Sequence, residues 1–382
     1  AWLDAVGDRV KEYSVFAAMA MVAARTGNGA WSLAVVAMVV VTVRHLEDYS
    51  YGPRLKPVRH SRPDVLPMSQ ERDRGATGDP TTYAPPRGTR QTVVFWMKKV
   101  IHLPIAERYL LISVGLLIGS PRFALWLIIV PVTVAVILTK GRRVLRALIR
   151  RDEVPPAAAN MSTRWGYVDV QLDLGPLARL FGRVVRLPFL GACLAALLLT
   201  IVGVGMIVQH RSWIALLAVL LAGLVIGAGA RPPVTHVLAW QLTALVWVME
   251  AAVILAISAE DLVPANQGLA FAFLSAVAYH RYDVVYRLRD TGEPPAAWLS
   301  LAGLGVEGRL LLVLAVAAWA PGSLPIVLAL MTAWLAALYL AESTAGWRRW
   351  IKAQPSAPLP EPVKGGAPIP SPESHRNPGA GG

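Results

Sequence analysis

Asp4 and Asp8 stand four residues apart in the opening stretch Ala1-Trp2-Leu3-Asp4-Ala5-Val6-Gly7-Asp8-Arg9-Val10-Lys11-Glu12-Tyr13. On a helix, positions i and i+4 share a face, so both carboxylates project toward one point. Hard divalent cations take carboxylate oxygens, and a cation held by paired carboxylates is one way to hold phosphates. A solvated helix end at a membrane interface has the same spacing, and spacing alone leaves both readings open. Arg44 and His45 follow near the end of a second apolar stretch, in Thr42-Val43-Arg44-His45. Arg44 has the planar fork that suits a phosphate; the alternative is a side chain snorkelling to the interface. His45, Glu47 and Asp48 point to different faces of a helix, so they do not read as one metal cluster.

Farther along, His280, Arg281 and Asp283 lie among Tyr279, Tyr282 and Tyr286. Asp283 and Arg287 are an i,i+4 ion pair, and the tyrosines suit an interfacial belt, which reads as a structural anchor or a lipid-headgroup site. Glu250 lies deep in an apolar run, where a charge costs several kcal/mol unless it is protonated or paired. It calls for a polar pocket between helices. Gly223 and Gly227, with Gly229 after them, have the small-xxx-small spacing of close helix packing. The one cysteine, Cys193, excludes an intrachain disulfide and a multi-cysteine metal site.

The elements that must position these residues are membrane helices. The chain has 382 residues, 55% hydrophobic and 16% charged, against roughly 25% charged in a soluble domain, which argues against an ordinary water-soluble fold. Apolar runs near the length of a bilayer span predict an all-α, polytopic integral membrane protein with about ten transmembrane helices in two bundles. The expected spans are Leu3–Ala24, Trp31–Tyr49, Ile105–Gly119, Phe123–Thr139, Pro188–Val208, Trp213–Ala228, Val234–Ser258, Gln267–Tyr286, Val306–Ala320 and Leu324–Ala341. Between them, Tyr51–Thr92 is rich in Pro and Arg, too poor in apolar residues for a core, and is expected to be a disordered loop. A second polar segment, Lys140–Leu187, opens on the basic amphipathic Gly141-Arg142-Arg143-Val144-Leu145-Arg146 and contains Pro155-Pro156. It is the best internal boundary, between domains at 1–150 and 160–350, and a disordered tail follows at 352–382.

The formal net charge of +13 is a topology signal rather than a nucleic-acid footprint, because the basic residues collect in particular loops. With the first helix starting on the cytoplasmic side, the loops at Tyr51–Thr92, Lys140–Leu187 and Arg287–Pro295 and the tail after Trp347 all fall inside. The opposite loops hold Arg25, Arg122, Arg211 and the acidic pair Glu260-Asp261. No nucleic-acid partner is expected.

The opening segment resembles the distal half of the signature of CDP-alcohol phosphotransferases, D-x-x-D-G-x-x-A-R, a short gap, then G-x-x-x-D-x-x-x-D. Asp4 and Asp8 match its third and fourth aspartates. Asp8-Arg9-Val10-Lys11-Glu12-Tyr13, Thr42-Val43-Arg44-His45 and Leu103-Pro104-Ile105-Ala106-Glu107-Arg108-Tyr109 also look like that family, over roughly Ala1 to Leu148 and four of its usual six helices. The matching Gly would precede Ala1 and the first two aspartates would lie on a preceding helix. The chain is therefore expected to be the later part of a longer protein, inactive alone.

The resemblance implies Mg²⁺ (or Mn²⁺) as cofactor, with Asp4 and Asp8 as metal ligands and Asp8 also the catalytic base. Arg44 would bind substrate phosphate. It further implies a CDP-alcohol donor and a hydroxyl acceptor, CMP release, and phospholipid or polar-headgroup synthesis at the cytoplasmic face of a bacterial membrane, with a homodimer as a candidate assembly. The segment from about Tyr167 to Ala345 resembles a membrane domain of unknown function found behind such transferase domains in actinobacteria. That likeness rests on Tyr279-His280-Arg281-Tyr282-Asp283-Val284-Val285-Tyr286-Arg287-Leu288-Arg289 and Gly305-Val306-Glu307-Gly308-Arg309, and it implies no activity. Competing expectations are a non-catalytic scaffold or lipid-binding module and, on Glu250 and the helix count, a small-solute transporter.

Overall fold

A computed structural model describes residues 2–25, 27, 29–51, 105–149, 172–230, 236–260, 264–290, 295–296 and 298–353. Every regular element among them is helical. In chain order the α-helices are α1 (Trp2–Ala24), α2 (Ala30–Tyr51), α3 (Ile105–Leu117), α4 (Pro121–Ile149), α5 (Pro176–Val184), α6 (Phe189–Val208), α7 (Ser212–Gly229), α8 (Leu242–Glu260), α9 (Pro264–Asp290), α10 (Trp298–Ala302), α11 (Gly305–Trp319) and α12 (Leu324–Ala353), with 3₁₀ turns at Ala239–Gln241 and Pro321–Ser323. Each expected span overlaps one α-helix, although α8 begins at Leu242 rather than Val234, and α5 and α10 are short additions. The expected disordered segments, 51–92 and 352–382, lie outside the described residues apart from the helix ends at Tyr51 and Lys352–Ala353.

Among the described residues, seven stretches are long and apolar enough to cross a membrane, as in an integral membrane protein: Ala30–Asp48, Pro121–Ile149, Phe189–Val208, Ser212–Gly229, Ala239–Ala259, Trp298–Trp319 and Pro321–Lys352. The other three helices that coincide with expected spans differ for simple reasons. α3 has only 13 residues, while α1 and α9 carry many charged side chains. Large apolar residues stand exposed on the outer faces of α4, α6 and α12, among them Trp126, Leu194, Ile201, Leu330 and Trp334. In water such a surface would drive association; in hydrocarbon it costs nothing.

Two sequence expectations change. α4 does not stop at Thr139 but runs on to Ile149, carrying Lys140, Arg142, Arg143 and Arg146. Lys and Arg are good helix formers, and one glycine, Gly141, is too weak a breaker to end a helix already propagating. The two segments expected as separate bundles also share one apolar core, which runs from Phe16 and Met38 through Trp247 and Phe273 to Tyr339. α2 is the hinge pin of this packing, in contact with α1 and α4 on one side and with α8 and α9 on the other.

The glycines of α7 do what their spacing predicts. A Cβ on Gly227 would lie 2.2 Å from the Ala178 carbonyl oxygen of α5, and one on Gly223 would lie 3.0 Å from Cβ of Glu307 on α11. Only glycine lets α5 and α11 approach α7 so closely. Gly227→Ala should therefore lower stability by roughly 1–3 kcal/mol through overpacking against backbone. Gly205→Ala in α6, where a Cβ meets nothing within 4 Å, should be neutral or gain up to about 1 kcal/mol from helix propensity. Thermal unfolding of both variants in one detergent checks the contrast.

Candidate functional site

The aspartate pair lies on α1, one turn apart, as the spacing predicts. Asp8 is half-buried, its carboxylate 3.8 Å from the exposed Lys11 ammonium. The Asp4 side chain lies outside the described residues, so the pair's joint geometry does too. The next turn faces inward. Arg9 bonds Glu12, and Arg108 of α3 reaches the same carboxylate at 2.8 Å, so two guanidiniums share one buried acid. Tyr13 and Thr42 join hydroxyls at 2.7 Å, tying α1 to α2.

Arg44 is buried, not snorkelling, with Nε 4.0 Å from Asp48. Asp48 also receives Arg143 of α4 at 2.5 Å, and Glu47 holds Lys140 at 2.8 Å. Arg108 and Arg143 are near enough for their charges to act on Arg44. Helices α1 to α4 therefore gather Arg44, Arg108, Lys140 and Arg143 with Glu12, Glu47 and Asp48. His45 is engaged elsewhere. Its Nδ1 lies 2.8 Å from the Val41 carbonyl oxygen, and its ring meets the edge of Tyr282 at 5.5 Å. No group of three His, Cys, Asp or Glu side chains suited to a metal occurs among the described residues.

The second segment holds a larger buried network. Glu250 of α8 is wholly inaccessible, and both its oxygens are taken: Arg281 of α9 donates at 2.8 Å and Arg309 of α11 donates through Nε at 2.8 Å. Nη1 of Arg309 continues to Asp173 at 2.7 Å and to the Gly303 carbonyl at 3.1 Å. His280 stacks flat on Tyr339 of α12 at 4.0 Å, with Nε2 4.0 Å from Asp173. Two acids and two guanidiniums balance, which is the condition under which buried charge is tolerated. Asp173 belongs to the turn before α5, outside the apolar helices. Burial works against its charge, yet Arg309, with help from His280 and Arg281, holds its carboxyl below the usual carboxylate range.

Glu307 plays a different part. Its carboxylate accepts the backbone N–H groups of Gly175 at 2.7 Å and Ala178 at 3.0 Å, capping the N-terminus of α5 from another helix. Gly305, at φ +60°, packs so tightly on this turn that a Cβ would lie 2.3 Å from the Gly175 nitrogen. Close by, Arg287 pairs with Asp283 at 2.6 Å and Glu342 at 2.9 Å, and the Ser343 hydroxyl donates to Asp283 at 2.7 Å.

The tyrosine-rich run thus differs from its expected interfacial role. His280, Arg281, Tyr282, Asp283 and Tyr286 are buried, because α9 packs between α2 and α12 and its charged groups find partners there. The expected pocket for Glu250 proves to be a filled ion-pair network. Sequence reading missed Asp173, Glu342 and Glu12. Asp173 sits in a polar segment that reads as loop, 136 residues from the arginine that needs it.

A family described as a family of unknown function (DUF5941) has a model that matches residues 168–362, just over half of the chain. The chain belongs to that family. No curated protein and no solved structure matches it. The DUF5941 segment contains the whole Asp173–Glu250–Arg281–Arg309 network and the Glu307 cap, and its boundary falls just before the turn that Arg309 holds in place.

Proposed function

We propose that the protein is a membrane-embedded CDP-alcohol phosphotransferase, with α1 to α4 as part of its transferase domain and the DUF5941 segment as the buttress against which α1 and α2 pack. The observation that carries this reading is the half-exposed Asp8 at the end of α1 that leads into the Arg9, Glu12 and Arg108 cluster, with Arg44, Lys140 and Arg143 adjoining. A site that handles a pyrophosphate needs carboxylates open to a cation and guanidiniums within reach of phosphate oxygens. Asp4 and Asp8 are of the type a hard cation takes, and among the described residues Asp8 has only a loose partner in Lys11. They fit as part of a ligand set for Mg²⁺ or Mn²⁺ that other carboxylates would complete; bound there, the ion would neutralise pyrophosphate charge. Asp8 takes the proton of the acceptor hydroxyl as its oxygen bonds to the phosphorus carrying the alcohol, and the bond to CMP breaks. Arg44 holds a phosphate of donor or acceptor.

In this reading all ten expected helices span the bilayer, with Asp4 and Asp8 on the cytoplasmic side. Single cysteines in a Cys193→Ser background test the orientation. Gln209→Cys should label with an impermeant maleimide added outside intact cells, and Lys352→Cys should label only after permeabilisation. Release of CMP from a CDP-alcohol, dependent on Mg²⁺ and on an acceptor, tests the activity in the chain joined to a helix bearing the D-x-x-D-G-x-x-A-R half of the signature.

A second reading, a scaffold or lipid-binding module, draws support from the DUF5941 segment, whose buried charges are engaged with one another. Transport has less support, since Glu250 is held by two arginines.

A further inference from the structure

Between α1 and α9 lies a groove of about 380 Å³. It follows α9 from Gly268 to Tyr282, a run of roughly 21 Å at 1.5 Å per residue. One leaflet of hydrocarbon is about 15 Å deep, half the bilayer core. Both helices pack on α2, an apolar span, so the groove lies at bilayer depth.

The two ends differ chemically. At one, Trp31 of α2 closes the groove over Gly268 and rests on Phe271, with ring centres 5.7 Å apart. At the other, the Arg9 guanidinium lies 5.5 Å over the Tyr282 ring. Arg9 is only 7% exposed, and its Nε makes no hydrogen bond among the described residues. Among the described residues, Arg9 and Arg108 share the single carboxylate of Glu12, so this end carries one guanidinium charge more than the carboxylate between them balances.

Along the wall between the ends, the hydroxyls of Ser14, Ser275 and Tyr13 are already engaged. Ser14 donates to the Val10 carbonyl and Ser275 to the Phe271 carbonyl, each at 2.8 Å, and the Tyr13 hydroxyl is joined to Thr42. A sugar or peptide placed here would lose its hydrogen bonds to water and gain few. An alkyl chain loses nothing.

We propose that this groove binds an anionic phospholipid, one acyl chain lying along α1 and α9 toward Trp31 and the headgroup phosphate meeting the Arg9 guanidinium. The site needs no divalent cation and no CDP-alcohol, so it stands or falls apart from the transferase reading. A phosphate gains a charge-assisted hydrogen bond at Nε and balances the shared-carboxylate cluster. The lipid also ties α1 to the DUF5941 segment, across the junction between the two halves of the chain.

The test uses the full chain in a mild detergent, titrated with dipalmitoyl phosphatidylglycerol or the zwitterionic dipalmitoyl phosphatidylcholine, with bound lipid counted by native mass spectrometry. The anionic lipid should bind at one site about tenfold more tightly. Arg9→Gln should abolish that preference and Arg9→Lys should keep part of it. Ala272→Trp, which fills the groove, should weaken both lipids. A variant that fails to fold does not decide the matter, because wild-type protein can be cross-linked with a phosphatidylglycerol bearing a diazirine at its chain end. The label should land on Trp31 or within residues 268–275. Equal affinity for the two lipids, undiminished binding in a folded Ala272→Trp protein, or labels confined to other helices would each overturn the proposal.

Discussion

Arg309→Met should lower the unfolding temperature by on the order of 10 °C and cost about 3–5 kcal/mol, the range for removing one partner from a buried ion pair. Arg309 is fully buried and, among the described residues, is the one side chain that pairs with both Glu250 and Asp173. Without it, Glu250 keeps Arg281, but Asp173 keeps only a distant His280 and faces apolar surroundings. The loss also frees the turn before α5, since Asp173 presents its backbone oxygen to Val306 at 2.9 Å. Arg309→Lys should recover part of the loss, because an ammonium carries the charge but cannot reach two carboxylates through a planar fork. Arg349→Met provides the contrast. That arginine is 69% exposed and 3.6 Å from Glu342, so its removal should cost less than about 1 kcal/mol. Differential scanning fluorimetry of the three variants in one detergent measures the order, and equal melting of Arg309→Met and Arg349→Met would show that the network does not hold the fold.

The chemical prediction has the largest expected effect on function. In a chain joined to the remaining half of the signature, Asp8→Asn should reduce CMP release by at least about a hundredfold, the lower end of what a general base contributes. The substitution keeps the volume and removes both the proton acceptor and the negative charge. Asp4→Asn removes a ligand without removing the base, so it should chiefly raise the Mg²⁺ concentration needed for half-maximal rate. Loss of activity in Arg44→Gln should show mostly in KM for the phosphate-bearing substrate, because Arg44 would bind rather than react. Wild-type turnover by Asp8→Asn would remove Asp8 as base and leave the resemblance as one of fold.

These two sites have different origins in the sequence. The i,i+4 aspartates of α1 are legible because helical periodicity alone puts them on one face, and the long apolar helices are legible because apolar runs need no partner to be recognised. The small-residue spacing of α7 belongs to the same class, since glycines at i and i+4 form one flat stripe whichever helix they meet. Asp283 and Arg287 are likewise local, one turn apart on α9.

What the tertiary structure decided is which buried charges answer one another. Glu250 reads in sequence as a lone acid; its arginines lie 31 and 59 residues away on other helices. Asp173 reads as part of a loop, and Glu307 as one charge in a motif rather than the cap of a helix that begins 131 residues earlier, at Pro176. The inward turn of Arg9, the shared core of the two segments and the groove beside α9 arise only when α2 is packed between α1, α4, α8 and α9. Local periodicity determines where a helix lies and which of its faces is apolar. The pairing of polar groups across helices depends on which faces meet, and in an apolar medium burial then makes those pairings strong and their absence costly.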